Sequence, residues 1–176
     1  YKENGMIKNL RIRKATNNDL NELSLLCTRT FYQAYGWYNT AENMKNYVEK
    51  YFSVDQLNLE INDPKSIFLV AELNQKLIGY AKIGSSNKLA ELNGKPQIEI
   101  ERIYIDESLQ RTGYGKKLFE AIVSEAKKIN AEYIWLGVWQ RNMKAVNFYM
   151  KNGFKIAGLT QFVLGDDVQD DYLMTN

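Results

Sequence analysis

Apolar residues alternate in some stretches of this chain and recur every three or four residues in others, and the change of period marks out strands and helices. Ile7, Leu10 and Ile12, with Lys8, Arg11 and Arg13 between them, predict a first strand over residues 7–13. Thr16, with Asp19 three residues on, predicts a helix start of the capping-box kind, and Leu20, Leu23, Leu26, Cys27, Thr30 and Phe31 form one face of the helix that follows. Thr40 caps a second helix carrying Met44, Tyr47, Val48, Tyr51 and Phe52, and Asp55 opens a short third that ends near Asp63-Pro64. Residues 67–71 and 77–83 read as a hairpin about an Asn74-Gln75 turn, and residues 84–96 as a polar surface loop. A strand from Gln97 to Ile105 leads through a glycine-containing turn into a helix reaching about Ile129, with Leu118, Phe119, Ile122, Val123 and Ala126 on one face. Tyr133 to Trp139 is almost wholly apolar, the pattern of a strand covered on both faces. A helix over residues 142–152 turns Ala145, Val146, Tyr149 and Met150 inward and stops at Gly153, and residues 154–164 and 171–175 read as a last pair of strands.

The turn between the fourth strand and its helix is Gln110-Arg111-Thr112-Gly113-Tyr114-Gly115-Lys116. The first turn of a helix has unpaired N–H groups and the positive end of the macrodipole, and glycines let an anion approach the backbone with no Cβ in the way. Arg111 and Lys116 add charge. By itself a G-x-G turn is better explained as a tight bend needing permissive residues, and the rest of the chain has to decide for an anion site.

Composition narrows the chemistry. With 176 residues, 45% hydrophobic and 25% charged, the chain has the make-up of one globular domain, expected over residues 6–176; Tyr1–Gly5 precede Met6 and are read as a leftover of expression. Lys and Arg number 23 against 21 Asp and Glu, with no dense basic block, so no nucleic-acid partner is expected. Cys27, the single cysteine, falls in an apolar helical pattern and reads as a small core residue. There is no histidine, which removes Ser-His-Asp and Cys-His schemes and the usual His-ligated zinc sites; no metal is expected, and proton transfer falls to carboxylate, tyrosine, lysine or water. The absence of a long apolar run or leader pattern gives the expectation of a cytoplasmic protein without membrane contact.

Two further stretches have unusual composition. Phe31, Tyr32, Tyr35, Trp37 and Tyr38 put five aromatics into eight residues, read either as core or as the wall of a cleft where a cation rests on ring faces. In Ile98-Glu99-Ile100-Glu101-Arg102-Ile103 three charges occupy a strand expected to be central, an expensive arrangement unless they pair with one another or reach a cleft. Alternation puts Glu99 and Glu101 on one face, and a bulge would change the phase beyond it.

The element order, the Gln110-Arg111-Thr112-Gly113-Tyr114-Gly115 turn after the fourth strand, and the helix Asn142…Ala145…Phe148-Tyr149…Gly153-Phe154 beginning about 27 residues later resemble the GNAT superfamily of acetyl-CoA-dependent N-acetyltransferases over nearly the whole chain. Residues 30–44 and 99–105 look like the PaiA-type spermine/spermidine acetyltransferases in particular. The resemblance implies an α/β (α+β) fold: a mixed, mostly antiparallel sheet of about seven strands flanked by helices, with the fourth and fifth strands splayed.

It also implies a cofactor site for acetyl-CoA: phosphates on Gln110, Arg111, Thr112, Gly113, Tyr114, Gly115 and Lys116, main-chain contacts from Ile103, Tyr104 and Ile105, and Asn142, Tyr149 and Lys151 completing it. By the same resemblance Glu101 is the water-linked general base, with Glu99 in reserve, and Tyr149 the acid that protonates the departing thiolate. A backbone N–H near Ile103 would polarise the carbonyl. A small-molecule amine, favoured as a polyamine, would lie among Phe31, Tyr35, Trp37, Tyr38 and Glu42. An amino-acid or protein amine acceptor, or an acetyl-CoA-sensing regulator without turnover, are the alternatives, and the chain is expected to be a monomer or homodimer.

Overall fold

The computed structural model describes residues 9–85, 89–92 and 94–176. Seven strands, β1 (Leu10–Lys14), β2 (Ser66–Leu73), β3 (Lys76–Gly84), β4 (Gln97–Ile105), β5 (Tyr133–Trp139), β6 (Lys155–Leu164) and β7 (Asp167–Thr175), form one sheet in the order β1-β2-β3-β4-β5-β7-β6. Every neighbouring pair is antiparallel except β4 and β5. The helices are α1 (Leu20–Tyr35), α2 (Ala41–Tyr51), α3 (Val54–Asn62), α4 (Tyr114–Lys128) and α5 (Met143–Lys151). This is the mixed, helix-flanked sheet expected from the sequence. Ile7 and Lys8 of the expected first strand, and residues 86–88 and 93 of the expected loop, lie outside the described residues.

Each face of the sheet has its own core. On one, α4 and α5 bring Leu118, Phe119, Ile122, Val146 and Tyr149 against Ala81, Ile83, Ile98, Ile100 and Leu136. On the other, α1 to α3 bring Leu23, Leu26, Phe31, Met44, Phe52 and Leu57 against Phe68, Val70 and Tyr80. Each such side chain withdrawn from water contributes about 1.5 to 3 kcal/mol, so the apolar stripes dictate which way every helix faces.

Local chemistry sets the ends of the elements. The Thr16 N–H donates to Asp19 Oδ2 at 2.7 Å, as the capping-box reading requires, but a short 3-10 turn over Asn17–Asp19 precedes α1. Asn74 and Gln75 both take positive φ (51° and 66°), which a two-residue hairpin needs to match the twist of β2 and β3. Two expectations need correction. Met150 is 46% exposed instead of inward, since one helical step past Tyr149 turns it off the buried face. The last strand starts at Asp167 instead of Asp171: its run of acids hides an alternation in which Gln169, Asp171 and Leu173 are buried between exposed Val168 and Asp170.

In β4 the partner of Lys82 is Arg102 and that of Ile83 is Ile100, so Glu101 is the extra residue of a bulge. Before it Ile98 and Ile100 face α4 and α5; after it Ile103 and Ile105 do, an odd step that the bulge makes compatible with one core. Arg102 and Tyr104 consequently face α1 to α3. There Arg102 makes a two-pronged pair with Glu60 of α3 (2.7 and 3.1 Å), and Lys82 lies 3.5 Å from Glu60 and 2.7 Å from Glu101. Burial would raise the Glu60 carboxyl, but Arg102 and Lys82 outweigh it and hold the group below its ordinary value. Replacing Glu60 by Gln leaves buried Arg102 without its carboxylate and Lys82 with Glu101 alone. Such a change is expected to cost about 3 to 5 kcal/mol in urea unfolding; a loss below about 0.5 kcal/mol, the size of an exposed pair, would refute this account of the network.

Candidate functional site

Side chains close the N-termini of three helices: Thr40 Oγ1 accepts from Asn43 N at the start of α2, Ser53 Oγ from Gln56 N at α3, and Asn142 Oδ1 from Ala145 N at α5. At α4 the cap is Gly113, which offers no side chain, and the first turn holds no acid. Thr112 turns its hydroxyl backward to the Leu109 carbonyl at 2.5 Å. The first backbone bond into this end is Lys117 N to Gly113 O, so the N–H groups preceding Lys117 have no acceptor within the helix. Exposed Arg111 and Lys116 stand beside them. The turn can therefore hold an anion.

The two glycines serve different ends. Gly113 has φ 87°, a conformation side chains resist. Gly115 has no such constraint, and a Cβ there would meet only Ile105 Cγ1 at 3.8 Å, an ordinary contact. Neither backbone geometry nor packing requires Gly115. What remains is the space above it, where a Cβ would stand between a bound anion and the N–H groups. Tyr114, by contrast, has its side chain in the core and offers only its main chain.

The turn lies at the end of an opening in the sheet. Parallel pairing of β4 and β5 covers Gln97 to Tyr133, Ile98 to Ile134 and Glu99 to Trp135, and the strands then part. Asp106 N donates to Ile78 O on the β3 side, so by strand alternation the N–H groups of Ile103 and Ile105 turn to the gap and that of Tyr104 to β3. Of the three main-chain positions expected to face a cofactor, Tyr104 is therefore engaged in the sheet. The Ile105 carbonyl accepts from Gln110 Nε2 at 3.3 Å, tying the turn to the strand edge.

Tyrosines gather around the opening. Tyr149 of α5 is buried among Phe119, Phe148 and Phe154. Burial, reinforced by Tyr35, raises its phenol and keeps it protonated. Tyr35 at the end of α1 packs on Trp139 and Phe162, with ring centroids 6.1 Å apart in each case, and its hydroxyl approaches that of Tyr104. Glu101 is half-buried with Oε2 on the Lys82 ammonium, and Glu99 sits at the last pair before the strands separate.

The remaining expected positions are more scattered. Phe31 is a core residue, stacked on Tyr47 at 4.3 Å and 2% exposed. Trp37 is 94% exposed, while Tyr38 meets the Trp139 ring edge-on at 4.8 Å. Glu42 lies exposed in the first turn of α2, where an acid favours the helix dipole, and Lys151 is exposed on the last turn of α5. Asn142 is half-buried and spends its side-chain oxygen on its own helix. A depression of about 310 Å3 lined by Pro64, Lys65, Ile67, Ile98 and Ile129 opens at the other end of β4 and takes no part in this arrangement.

One residue at the opening escaped the sequence reading. Asp171 of β7 pairs with Trp139 of β5 and Thr160 of β6, and its carboxylate lies 3.3 Å from where a Cβ on Gly137 would stand. Oδ1 is buried without a hydrogen-bond partner, and none of the ion pairs among the described residues includes this side chain. Burial, aided by Asp170, raises the carboxyl to about 6. The available signal was its alternation with Leu173, a buried neighbour on the same face.

The profile of the acetyltransferase (GNAT) family matches residues 28–154. An N-acetyltransferase of Lactobacillus delbrueckii subsp. lactis, described as uncharacterized, is 35% identical over 94% of this chain and 95% of its own length. The spermine/spermidine N(1)-acetyltransferase of Bacillus subtilis is 30% identical over 49% of this chain and 57% of its own. Among solved structures, a PaiA N-acetyltransferase from Thermoplasma acidophilum in complex with coenzyme A has a TM-score of 0.78 at 23% identity, covering 95% of this chain and 98% of that one, a likeness of fold. No helix among the described residues is long and apolar enough to cross a membrane.

Stability measurements test this geometry. Gly113→Ala is expected to lose about 1 to 2 kcal/mol through its left-handed backbone, whereas Gly115→Ala is expected to be neutral or mildly stabilising. Asp171 gives a pH signature: between the ordinary 3.8 and about 6 the folded chain keeps a proton that the unfolded chain releases, so stability falls as pH rises through that window. Asp171→Asn is expected to exceed the parent protein at pH 7 by roughly 1 to 3 kcal/mol in thermal unfolding, with the difference closing near pH 4.

Proposed function

The chain belongs to the acetyltransferase (GNAT) family, and we propose that it transfers acetyl from acetyl-CoA to a primary amine, a polyamine such as spermidine or spermine before other acceptors. The observation that carries the reading is the uncapped N-terminus of α4 at the end of the β4–β5 opening: an anion cradle beside an unpaired strand edge suits a cofactor with a pyrophosphate at one end and an amide-bearing arm along its length. Polyamine is supported by the partial likeness to the Bacillus subtilis enzyme and by the aromatic rings around the opening.

Acetyl-CoA supplies the acetyl group as a thioester open to direct attack by the amine. The N–H groups at the start of α4, with Arg111 and Lys116, hold the phosphates. The Ile103 N–H, turned to the gap, donates to the acetyl carbonyl oxygen. An alkylammonium with a pKa near 10.4 must lose a proton, costing about 4 to 5 kcal/mol at pH 7. Glu101 receives it through a water, its Oε2 anchored by Lys82 and its Oε1 left to accept. Tyr149, held protonated by burial, gives its proton to the departing sulfur. Cys27 forms no acyl-enzyme, since burial pushes its thiol up to about 12.

The test is thiol release from acetyl-CoA across spermidine, spermine, diamines, amino acids, aminoglycosides and a lysine peptide. Spermidine and spermine are expected to lead. Tyr149→Phe should lower kcat on the order of 100-fold or more, and Glu101→Gln should lower kcat/KM by a similar factor at neutral pH. Gly115→Ala should weaken coenzyme A binding while leaving the fold intact. Turnover of no amine by a protein that binds acetyl-CoA would move the chain to a cofactor-sensing role, and full activity in Tyr149→Phe would remove the assigned acid.

A further inference from the structure

Two side chains on one face of β7 are buried with an acceptor oxygen left over. Gln169 is 5% exposed and Asp171 9%, and both Gln169 Oε1 and Asp171 Oδ1 lack a hydrogen-bond partner. The orientation of the Gln169 amide follows from its nitrogen, which donates to Asp167 Oδ2 at 2.7 Å and reaches Asn39 Oδ1 at 3.5 Å. Buried acceptors without a partner are costly, and two of them two residues apart on the same side of a strand call for one or more donors from outside the chain.

The surroundings favour a cation as that donor. Asp171 lies across from Trp139, and Gln169 across from Phe162; both rings pack on Tyr35. Tyr38 closes edge-on against Trp139, and Arg141 already places its guanidinium carbon 6.0 Å over that ring. The titratable neighbours of the carboxylate are Tyr35 from α1 and Asp170 beside it in β7, and neither supplies positive charge. A carboxylate and an amide oxygen framed by ring faces match an aliphatic ammonium, which brings three N–H donors and a charge that aromatic quadrupoles attract.

We propose that Gln169 and Asp171 form the subsite that receives an ammonium group of the acceptor, with Asp171 as the ion-pairing residue and Tyr35, Trp139 and Phe162 as its walls. The inference rests on the N-acetyltransferase reading for the identity of the ligand as an amine acceptor. It gives Asp171 a binding role distinct from the proton transfers of Glu101 and Tyr149: the carboxylate draws the cation to the opening, and the chemistry follows on the β4 side.

The experiment compares the parent protein, Asp171→Asn and Gln169→Leu by thiol-release kinetics with the best acceptor of the panel, and by calorimetric titration of spermidine into each protein saturated with coenzyme A. Asp171→Asn is expected to raise the amine KM about 10- to 100-fold, with kcat at saturation and the KM for acetyl-CoA within a factor of two. Gln169→Leu should shift the amine KM in the same direction by less. An unchanged amine KM in Asp171→Asn overturns the subsite and leaves the acetyltransferase reading standing. A peptide or amino-acid acceptor whose KM rises in Asp171→Asn upholds the subsite and removes the polyamine assignment. If nothing turns over, spermidine binding that Asp171→Asn abolishes upholds the subsite while turnover is refuted; no spermidine binding by the parent protein overturns both. Retained coenzyme A affinity in each variant shows that the fold is intact.

Discussion

The parting of β4 from β5 after three residue pairs is the constraint on which the rest of the structure depends. A continuous sheet would satisfy the main-chain groups of β4 beyond Glu99 with β5, and there would be no edge for a ligand to use. Glu101 sits as a bulge two residues past the last pair, and a bulge bends its strand and increases its local twist. The second half of β4 thereby stays with β3 and swings from β5. Tyrosines from α1, α5 and β4 then meet around the opening, each drawn there by a different element.

The same bulge places consecutive charged residues, Glu101 and Arg102, where both can pair on the α1–α3 side. The Glu101–Lys82–Glu60–Arg102 series alternates in sign and sums to zero, which is how four ionised groups can be tolerated beneath a helix. It also fixes α3 to the middle of the sheet next to the opening, with the Arg102 guanidinium on the Phe52 ring at 5.2 Å. A purely apolar contact would give comparable stability but would not hold a carboxylate at the rim in one orientation.

Four buried side-chain atoms among the described residues lack a hydrogen-bond partner, the Tyr80 hydroxyl, Trp135 Nε1, Gln169 Oε1 and Asp171 Oδ1, and only the last two are acceptors on one face of a single strand. The open N–H groups of α4 lie at one end of the gap, and the lone acceptors of Gln169 and Asp171 lie on β7, next to the strand that forms its other side, across from Phe162 and Trp139 respectively. Donors without acceptors at one place and acceptors without donors at another suit ligands of opposite charge, an anion at the first and, as proposed, a cation at the second. An N-acetyltransferase needs both: a phosphate-bearing donor and an ammonium acceptor. The cost of leaving such groups unpaired is the stability that Asp171→Asn is expected to recover.

Much of this was legible in the linear sequence because it rests on local periodicity. The bounds of β4 and β5, the glycine turn, the Thr40 and Asn142 helix starts and the stop at Gly153 all follow from residues within a few positions of one another. The inward face of α1 did as well. Tertiary structure alone decided what depends on pairing between distant strands. It made Glu101 the bulged residue, set Phe31 in the core and Trp37 in water, and turned the Asp170-Asp171 pair, alike in sequence, into one exposed acid and one buried acid with a free oxygen. Side-chain period is a property of neighbouring residues, whereas the environment of a strand position is set by the elements packed over it, and those come from 30 or 130 residues away: Trp139 stands beside Asp171, and Asn39 reaches Gln169.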